Sequence, residues 1–239
     1  KAYLSDELQA REFDTVILDE ASMAPIPALW ASTLMSSNNA VIVGDFKQLP
    51  PIVLSANEVA REWLGRDIFE HSGMKESYDN KCSPDYFIIL NEQHRMEPEI
   101  ADIANRYYGI LKSPNSIGRQ RERLEFGKWY DDSLLPDSPV ILINTESLNA
   151  WVTSVPKGTK SSRLNFLSAS LSVNLGKRVI LKLNTTNGEE KDSKVLIVSP
   201  YRPHIKLIDL LLKDNGIEND VIRAGTVHSF QGSEAEIVI

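Results

Sequence analysis

The 239-residue chain contains one cysteine, four histidines and no long apolar run. Cys82 has no second cysteine with which to form a disulfide, and the scattered histidines do not have the spacing of a zinc site. No stretch approaches the roughly 20 apolar residues of a transmembrane helix, and the opening residues "KAYLSDEL" are unlike a secretory leader. These absences exclude a disulfide-rich secreted protein and a zinc module, and they predict a cytoplasmic protein that has no membrane partner.

Basic residues are also in the minority, since 26 Lys and Arg stand against 33 Asp and Glu, for a net charge of -7. This balance excludes a uniformly basic protein that coats nucleic acid, but it leaves room for a local basic groove. Two basic stretches, at 112–128 and 157–163, are interpreted as solvated loops, which is what such charge runs usually are. The hydrophobic content of 42% is ordinary and indicates a globular protein with a sizeable core.

Short apolar runs alternate along the chain with longer segments of helical periodicity. The apolar runs are "TVIL" (15–18), "AVIV" (40–43), "YFIIL" (86–90), "PVILI" (139–143), "VLIV" (195–198) and "EIVI" (236–239). Each is short enough to be a buried strand. The alternation therefore predicts an α/β fold in which helices cover both faces of a parallel sheet.

Four segments have the apolar spacing of a helix. They are "PIPALWASTLMSS" (25–37), "MEPEIADIANRYYG" (96–109), "SSRLNFLSASLSVNLGKRVILKL" (161–183) and "RPHIKLIDLLLKDNG" (202–216). In the second and fourth segments a proline stands near the predicted first turn and a glycine follows the last turn. A polar stretch at 72–85 predicts the boundary between a first domain, residues 1–80, and a second domain, residues 81–239.

Acidic side chains follow the first two predicted strands. Asp19 and Glu20 end the first strand in "LDEAS", and Asp45 follows the second strand in "VGDFKQLPP". Parallel strands joined by a right-handed crossover end at the same edge of the sheet, where ligands bind in open sheets. One carboxylate can hold Mg²⁺ there while its neighbour activates water, as phosphoryl transfer requires, although acidic residues after strands also serve as ordinary helix caps.

Two further segments carry polar residues that suit phosphate chemistry. Gln48 lies between the acidic edge and a rigid Pro-Pro turn, where its amide can report whether a terminal phosphate is present. In the second half, "NEQHRM" places Gln93, His94 and Arg95 after the third apolar run. An arginine in such a place can neutralise the charge on a transferred phosphoryl group, and a salt bridge to a glutamate in the following helix is the ordinary alternative.

Taken in order, these motifs resemble those of superfamily 1 helicases, in the branch that includes the nonsense-mediated-decay helicase and the replication helicase-nuclease. The matching segments are "LDEAS" as motif II, "VGDFKQLPP" as motif III, "NEQHRMEPEIADIAN" as motif IV, "VSPYRPH" as the lead into the later motifs, and "GTVHSFQGSEAEIVI" as motif V. The resemblance implies two RecA-like lobes of the P-loop NTPase type, the first of them incomplete. They would clamp ATP and Mg²⁺ and move along single-stranded nucleic acid, with DNA favoured over RNA.

The resemblance also implies a role for each matching residue. Asp19 would hold Mg²⁺, Glu20 would activate water, Gln48 would sense the γ-phosphate and Arg95 would be the arginine finger. The residues implied to contact the nucleotide are Asp45, Gln93, His94, Gly232 and Glu234. Those implied to face the nucleic acid are Ser199, Tyr201, Thr226 and His228. His94 stands where the family usually has a tyrosine that stacks on adenine, so base selectivity stays open. His204 and His228 stand where glutamine and aspartate are common in the family.

The sequence contains no G-x-x-x-x-G-K-[ST] phosphate-binding loop, and no arginine-bearing motif VI follows motif V. We therefore expect the chain to be part of a longer helicase and to be inactive in ATP hydrolysis and unwinding without the segments that carry these motifs. Two other functions stay open. The chain could be a non-catalytic module that binds nucleic acid or protein, or a metal-dependent nuclease built on Asp19, Glu20 and Asp45.

Overall fold

A computed structural model describes residues 5–82, 84–114, 138–148, 150–153, 163–187, 195–218 and 221–239. The chain divides into two compact units, Lys1–Leu90 and Asn91–Ile239. The boundary predicted after residue 80 lies earlier than this division. Phe87 packs against the hydrophobic cluster of the first unit, which keeps the segment after residue 80 with that unit.

The first unit is built on two parallel strands and the helix that connects them. Its helices are α1 (Asp6–Gln9), α2 (Ile26–Thr33), α3 (Glu58–Leu64), α4 (Ile68–His71) and α5 (Met74–Asp79), and its strands are β1 (Phe13–Leu18) and β2 (Ser36–Ile42). A 3₁₀ turn, Ala21–Met23, follows β1 before α2 begins. The predicted strand, helix and strand order is confirmed here, with β1 parallel to β2.

A small apolar cluster lies beneath the ends of these strands. Ala21, Leu29 and Phe69 are its buried members. The carboxylate of Asp67 accepts hydrogen bonds from the N–H groups of Phe69 and Glu70 at 2.8 and 2.9 Å, which caps the start of α4. This cap holds the ring of Phe69 under the loop that follows β2.

The second unit has a three-stranded parallel sheet in the order β4-β3-β5. Its strands are β3 (Val195–Val198), β4 (Ile222–Gly225) and β5 (Ile237–Val238), and its helices are α6 (Pro98–Tyr108), α7 (Phe166–Asn187), α8 (Arg202–Asp214) and α9 (Val227–Phe230), with a 3₁₀ turn at Glu146–Leu148. Among the residues that the structure describes, no helix combines the length and apolar composition needed to cross a membrane.

The core of the second unit forms where α7 and α8 pack on β3 and β4. Its buried members are Ala169, Val173, Val179, Val195, Ile197, Ile205, Ile208, Leu212 and Ile222. Gly176, which interrupts the helical pattern of α7, is explained by this packing. A Cβ at that position would lie 2.9 Å from Cδ1 of Ile222, so glycine lets the helix approach the sheet closely.

His204 ties the start of α7 to α8 and is buried, with 8% of its surface exposed. Its Nδ1 accepts a hydrogen bond from the N–H of Asn165 at 3.2 Å, and its Nε2 lies 3.2 Å from the hydroxyl of Ser168. Burial lowers the pKa of His204 below its usual value of 6.5. The neutral ring is therefore the form that this contact needs, because a protonated Nδ1 cannot accept a hydrogen bond.

Two of the strand predictions are wrong. Residues 86–90 and 139–143 form no regular strand, and the side chains of Tyr86, Ile88 and Leu90 are 80%, 79% and 82% exposed. A strand needs a neighbouring strand to share its hydrogen bonds, whereas the pairing nearest to residues 86–90 is one isolated parallel bridge between Glu92 and Lys112. Motif IV therefore follows an irregular segment rather than a strand.

Candidate functional site

The predicted acidic residues of the first unit lie at one edge of its sheet. Leu18 and Ile42, the last residues of β1 and β2, lie opposite each other in the parallel register. Backbone hydrogen bonds of 2.8 and 2.9 Å continue the pairing beyond both strands. Asp19 and Glu20 follow β1 directly and Asp45 follows β2, so the three carboxylates leave the same edge. We call Asp19, Glu20 and Asp45 the carboxylate edge.

The turn after β1 has an unusual backbone conformation. Glu20 lies in the left-handed region, with φ 53° and ψ 34°. This conformation costs a non-glycine residue about 1–3 kcal/mol. The carboxylate of Asp19 accepts a hydrogen bond from the N–H of Glu20 at 2.8 Å, and the C=O of Glu20 accepts one from Met23 at 3.1 Å. These bonds hold the turn, and the side chains of Asp19 and Glu20 remain exposed to ligands.

Asp45 organises the loop after β2. One carboxylate oxygen of Asp45 accepts a hydrogen bond from the N–H of Lys47 at 2.9 Å, and the other accepts one from Nε2 of Gln48 at 2.9 Å. The N–H of Asp45 donates to the hydroxyl of Ser22, which is 1% exposed, at 3.3 Å. The amide of Gln48 is therefore held beside the carboxylate edge by a direct bond to Asp45.

Gly44 lets the two loops of this edge approach each other. A Cβ at Gly44 would lie 2.8 Å from the backbone N of Ser22, 3.1 Å from that of Ala21 and 3.0 Å from the ring of Phe69. Distances this short to backbone atoms leave no room for a larger residue. The requirement for glycine in motif III thus arises from packing between the loops that follow β1 and β2.

The donor set at this edge suits Mg²⁺, which takes oxygen ligands, keeps several waters and usually needs one or two carboxylates. Asp19 is the exposed carboxylate directly after β1, and Asp45 follows the neighbouring strand. Within the described residues, no group of three or more His, Cys, Asp or Glu side chains could hold a metal ion. Because Mg²⁺ in proteins is commonly bound by one or two carboxylates together with substrate phosphates, this edge would need a phosphate ligand to complete such a site.

In the second unit, the side chain of Gln93 organises the segment that carries Arg95. Its Oε1 accepts hydrogen bonds from the N–H groups of Arg95 and Met96 at 3.1 and 2.8 Å. Its Nε2 donates to the C=O of Met96 at 3.0 Å and to the hydroxyl of Ser113 at 2.7 Å. The backbone of Arg95 is thus fixed by a side chain of its own motif.

The guanidinium of Arg95 forms an ion pair with Glu234 of motif V at 2.5 Å, and both side chains are largely exposed, at 70% and 63%. This pair joins two motifs that are far apart in sequence. Gly232 is in the left-handed conformation with φ 76°, which shapes the turn before Glu234. His94 is exposed beside Arg95. Predicted nucleotide-contacting residues of motifs IV and V therefore lie together in the second unit.

The residues predicted to face nucleic acid follow two neighbouring strands of the second sheet. Ser199 and Tyr201 come after β3, and Thr226 and His228 come after β4, which pairs with β3 in parallel up to the last residue of each. Both segments therefore leave the same edge of the sheet. Tyr201 is 41% exposed and His228 is exposed, so these two side chains can reach a ligand.

Ser199 and Thr226 have hydrogen bonds within this edge. Ser199 is buried, at 7% exposure, and its hydroxyl accepts a hydrogen bond from the N–H of Tyr201 at 3.4 Å. The C=O of Thr226 accepts a hydrogen bond from the hydroxyl of Ser229 at 2.6 Å at the start of α9. Ser199 thus shapes the turn, whereas Tyr201 is the more accessible side chain.

Sequence reasoning missed two hydroxyl groups that hold these loops. Ser22 belongs to "LDEAS" and stands two positions after Glu20, so its place in the motif could have indicated a role for its hydroxyl. Ser113 is 20 positions from Gln93 and stands in no motif, so no sequence pattern indicated that it bonds the Gln93 amide. A contact of that separation appears only when α6 and the segment after it are folded.

Two family models, each described as an AAA domain, match residues 2–56 and 69–239. The chain is similar to the DNA replication ATP-dependent helicase/nuclease of Xenopus laevis, with 29% identity over 249 residues that cover 96% of this chain and 21% of that protein. An uncharacterized ATP-dependent helicase of Methanocaldococcus jannaschii is 26% identical over 244 residues, which cover 98% and 32% of the two chains.

A third relative is the DNA polymerase alpha-associated DNA helicase A of Schizosaccharomyces pombe, 29% identical over 241 residues that cover 98% of this chain and 33% of that protein. The chain spans only about a fifth to a third of the length of these curated relatives. The two matched ranges include the segments assigned to motifs II to V. The chain therefore belongs to the AAA-domain family, in the branch of superfamily 1 helicases that includes the replication helicase-nucleases.

Proposed function

We propose that this chain is part of an ATP-dependent helicase or translocase, in which ATP hydrolysis drives movement along single-stranded nucleic acid. The observation that carries the proposal is the parallel pairing of β1 and β2, which brings Asp19, Glu20 and Asp45 to one sheet edge with Gln48 bonded beside them. The two compact units are proposed to be parts of two RecA-like lobes. Relatives named as ATP-dependent helicases support this function.

The first unit is proposed to supply the hydrolytic groups. Mg²⁺, when bound together with ATP, neutralises charge on the β- and γ-phosphates. Asp19 offers it carboxylate oxygens, and Glu20 takes a proton from the water that attacks the γ-phosphorus as the bond to the β-phosphate oxygen breaks. Gln48 reports the γ-phosphate through its amide, and Asp45 keeps that amide in place.

The second unit is proposed to supply positive charge and the remaining nucleotide contacts. Arg95 stabilises the charge that develops on the transferred phosphoryl group. His94 offers an exposed ring on which a base can stack. Gly232 shapes the turn before Glu234, and Glu234 pairs with Arg95.

Single-stranded nucleic acid is proposed to bind at the edge that follows β3 and β4. Tyr201 can stack on a base and His228 can bind the backbone, while Ser199 and Thr226 shape the loops that carry them. DNA is favoured over RNA because two of the relatives described above are named as DNA helicases or as a DNA replication protein. The single, exposed Cys82 fits a reducing compartment, and we propose a cytoplasmic location.

The test is the ATP hydrolysis rate of the full-length gene product that contains this chain, with and without single-stranded DNA or RNA of matched length. We expect a magnesium-dependent rate that single-stranded DNA increases more than RNA does. A protein that binds DNA but hydrolyses no ATP with either polymer would contradict the motor and favour a non-catalytic binding module. A larger increase with RNA would overturn only the choice of substrate.

A further inference from the structure

The segment that carries Arg95 is held without a regular strand. The N–H of Lys112 donates a hydrogen bond to the C=O of Asn91 at 2.7 Å, and the N–H of Gln93 donates to the C=O of Lys112 at 2.9 Å. Asn105 of α6 bonds both backbone groups of the residue before Lys112, at 2.8 and 3.2 Å. These backbone bonds extend only as far as Gln93. Beyond it, the Gln93 side chain bonds the backbone of Arg95 and Met96.

The amide of Gln93 uses its full hydrogen-bonding capacity within the second unit. A side-chain amide has two donor hydrogens and two acceptor lone pairs. Oε1 accepts from Arg95 and Met96, while Nε2 donates to Met96 and to Ser113, with all four distances between 2.7 and 3.1 Å. A nucleotide could bind this amide only by displacing one of these bonds. That displacement would release the backbone next to Arg95.

We propose that Gln93 and Ser113 are positioning residues for Arg95, and that Gln93 is not a nucleotide ligand. Gln93 fixes the Arg95 backbone directly, and Ser113 acts through Gln93 by holding its Nε2. The inference rests on the proposed function, because it takes Arg95 as the arginine that faces the phosphoryl group. It adds Ser113, which stands in no motif, to the residues on which hydrolysis depends.

The two possible roles of Gln93 predict different kinetics. A positioning residue acts on the transition state through Arg95, so its loss lowers kcat and leaves the binding of ADP, which has no γ-phosphate, unchanged. A nucleotide ligand contributes to the binding of ADP and ATP alike, so its loss weakens both. A displaced catalytic group can cost on the order of 10²-fold in rate.

The experiment compares Gln93→Ala, Ser113→Ala and the double variant in the full-length gene product. The measurements are kcat for nucleic-acid-stimulated ATP hydrolysis and the Kd of ADP. We expect Gln93→Ala to lower kcat about 10- to 100-fold and Ser113→Ala to lower it about 2- to 10-fold, as the loss of one hydrogen bond does. The Kd of ADP should stay within about twofold of wild type.

The double variant tests whether Ser113 acts through Gln93. We expect it to be no slower than Gln93→Ala alone, because residues in one hydrogen-bond network are not additive. Ser113→Thr keeps the hydroxyl and should restore the wild-type rate. Ser147→Ala, an exposed serine in the 3₁₀ turn of the same unit, is the matched control and should change neither quantity.

Three results would overturn the inference. These are a rise in the Kd of ADP that matches the fall in kcat of Gln93→Ala, a Ser113→Ala variant as fast as wild type, and multiplicative effects in the double variant. A wild-type protein that hydrolyses no ATP would instead overturn the proposed function, and the inference with it. The two failures are distinguished by the wild-type rate alone.

Discussion

At the scale of single residues, the backbone around Gly44, beside the carboxylate edge, leaves no room for a side chain. We expect Gly44→Ala to lower the free energy of unfolding by about 1–3 kcal/mol, since its Cβ would meet the backbone of Ser22 at 2.8 Å. The loop of Asp45 should move with it, so ATP hydrolysis by the full-length gene product should fall as well. Urea denaturation and the steady-state hydrolysis rate measure the two effects.

Gly73→Ala is the contrasting variant. Gly73 has φ 77°, so alanine there costs stability through its backbone, but a Cβ would meet nothing within 4 Å. We expect Gly73→Ala to destabilise the protein and leave the hydrolysis rate at saturating ATP unchanged. Equal losses of hydrolysis in both variants would show that the effect of Gly44→Ala is one of general stability.

The ion pair between Arg95 and Glu234 supports a second prediction at this scale. Exposed pairs are worth about 0.2–1 kcal/mol, so Glu234→Gln should free Arg95 and tighten the binding of a non-hydrolysable ATP analogue about 1.4- to 5-fold. ADP has no γ-phosphate for Arg95 to reach, so its Kd should not change. Isothermal titration of both nucleotides into the full-length gene product measures this difference.

Glu236→Gln removes an equal charge two positions away and is the matched control. It should leave the ratio of the two dissociation constants as in wild type. Equal weakening of ATP analogue and ADP by Glu234→Gln would identify Glu234 as a ligand of the ribose or the α- and β-phosphates. The pair with Arg95 would then have no influence on the preference for ATP over ADP.

At the scale of elements, a helix forms in each of the four segments with helical periodicity, whereas two of the six predicted strands do not form. The helix over Pro98–Tyr108 begins at its proline, and Gly109, which has φ 75°, caps its end. The α8 helix likewise has a proline near its start and Gly216, with φ 67°, after its end. These signals act within one turn of the chain, so they do not depend on the rest of the fold.

Strands depend on partners that lie far away in the sequence. "VLIV" forms β3 between two strands and is buried, whereas "YFIIL" has a similar composition and forms no strand. Helix α5 is one of the helices that no sequence pattern indicated, because it lies in the polar stretch at 72–85 that predicts a domain boundary. Its apolar residues, Met74 and Tyr78, face the core through contacts with the first-unit cluster and with Phe46. Tertiary packing, not local pattern, decides these elements.

The contact between α7 and α8 should respond to pH through His204. Its folded pKa is below the unfolded value of 6.5, so the folded state binds the proton less readily. The contribution of the neutral His204 ring to stability is therefore fully present above about pH 6.5. It is lost as the pH falls from 6.5 through the lower folded pKa of His204. Urea denaturation of this chain at pH values from about 8 to 5 measures the loss.

The His204→Gln variant should remove this dependence, because an amide can bond both Asn165 and Ser168 and does not titrate. Burial raises the pKa of Asp209 on the same helix, which gives the opposite slope, but that slope is common to both proteins and cancels in their difference. His228→Gln, at an exposed position, is the control. An unchanged pH profile in His204→Gln would contradict the role given to the buried ring.

At the scale of the whole molecule, each of the two units has its own sheet and core, and each carries some of the predicted site residues. Motif order in the sequence placed motifs II and III before residue 80 and motifs IV and V after it, and these motifs fall in Lys1–Leu90 and Asn91–Ile239 respectively. It did not predict the bonds of Gln48 to Asp45 or of Gln93 to Ser113, because side-chain orientation is set by packing. The first bond spans three positions and the second spans 20, so only the first could have been suspected from spacing.

The chain contains no phosphate-binding loop of the Walker type, so its own residues leave the β- and γ-phosphates without their usual donors. We expect this 239-residue chain alone to hydrolyse ATP at the background rate, even with Mg²⁺ and single-stranded DNA, while the full-length gene product is active. Phosphate release under identical conditions compares the two. Hydrolysis by the chain alone that single-stranded DNA stimulates would contradict this expectation.

The central claim is that the carboxylate edge performs phosphoryl transfer, and Glu20→Gln tests it most directly. The measurement is the rate of ATP hydrolysis by the full-length gene product with saturating single-stranded DNA, together with ATP binding by the same variant. If Glu20 is the general base, the rate falls by about 10²- to 10⁴-fold while ATP still binds. A Glu20→Gln rate equal to wild type would contradict the account, since the chemistry would then not depend on this edge.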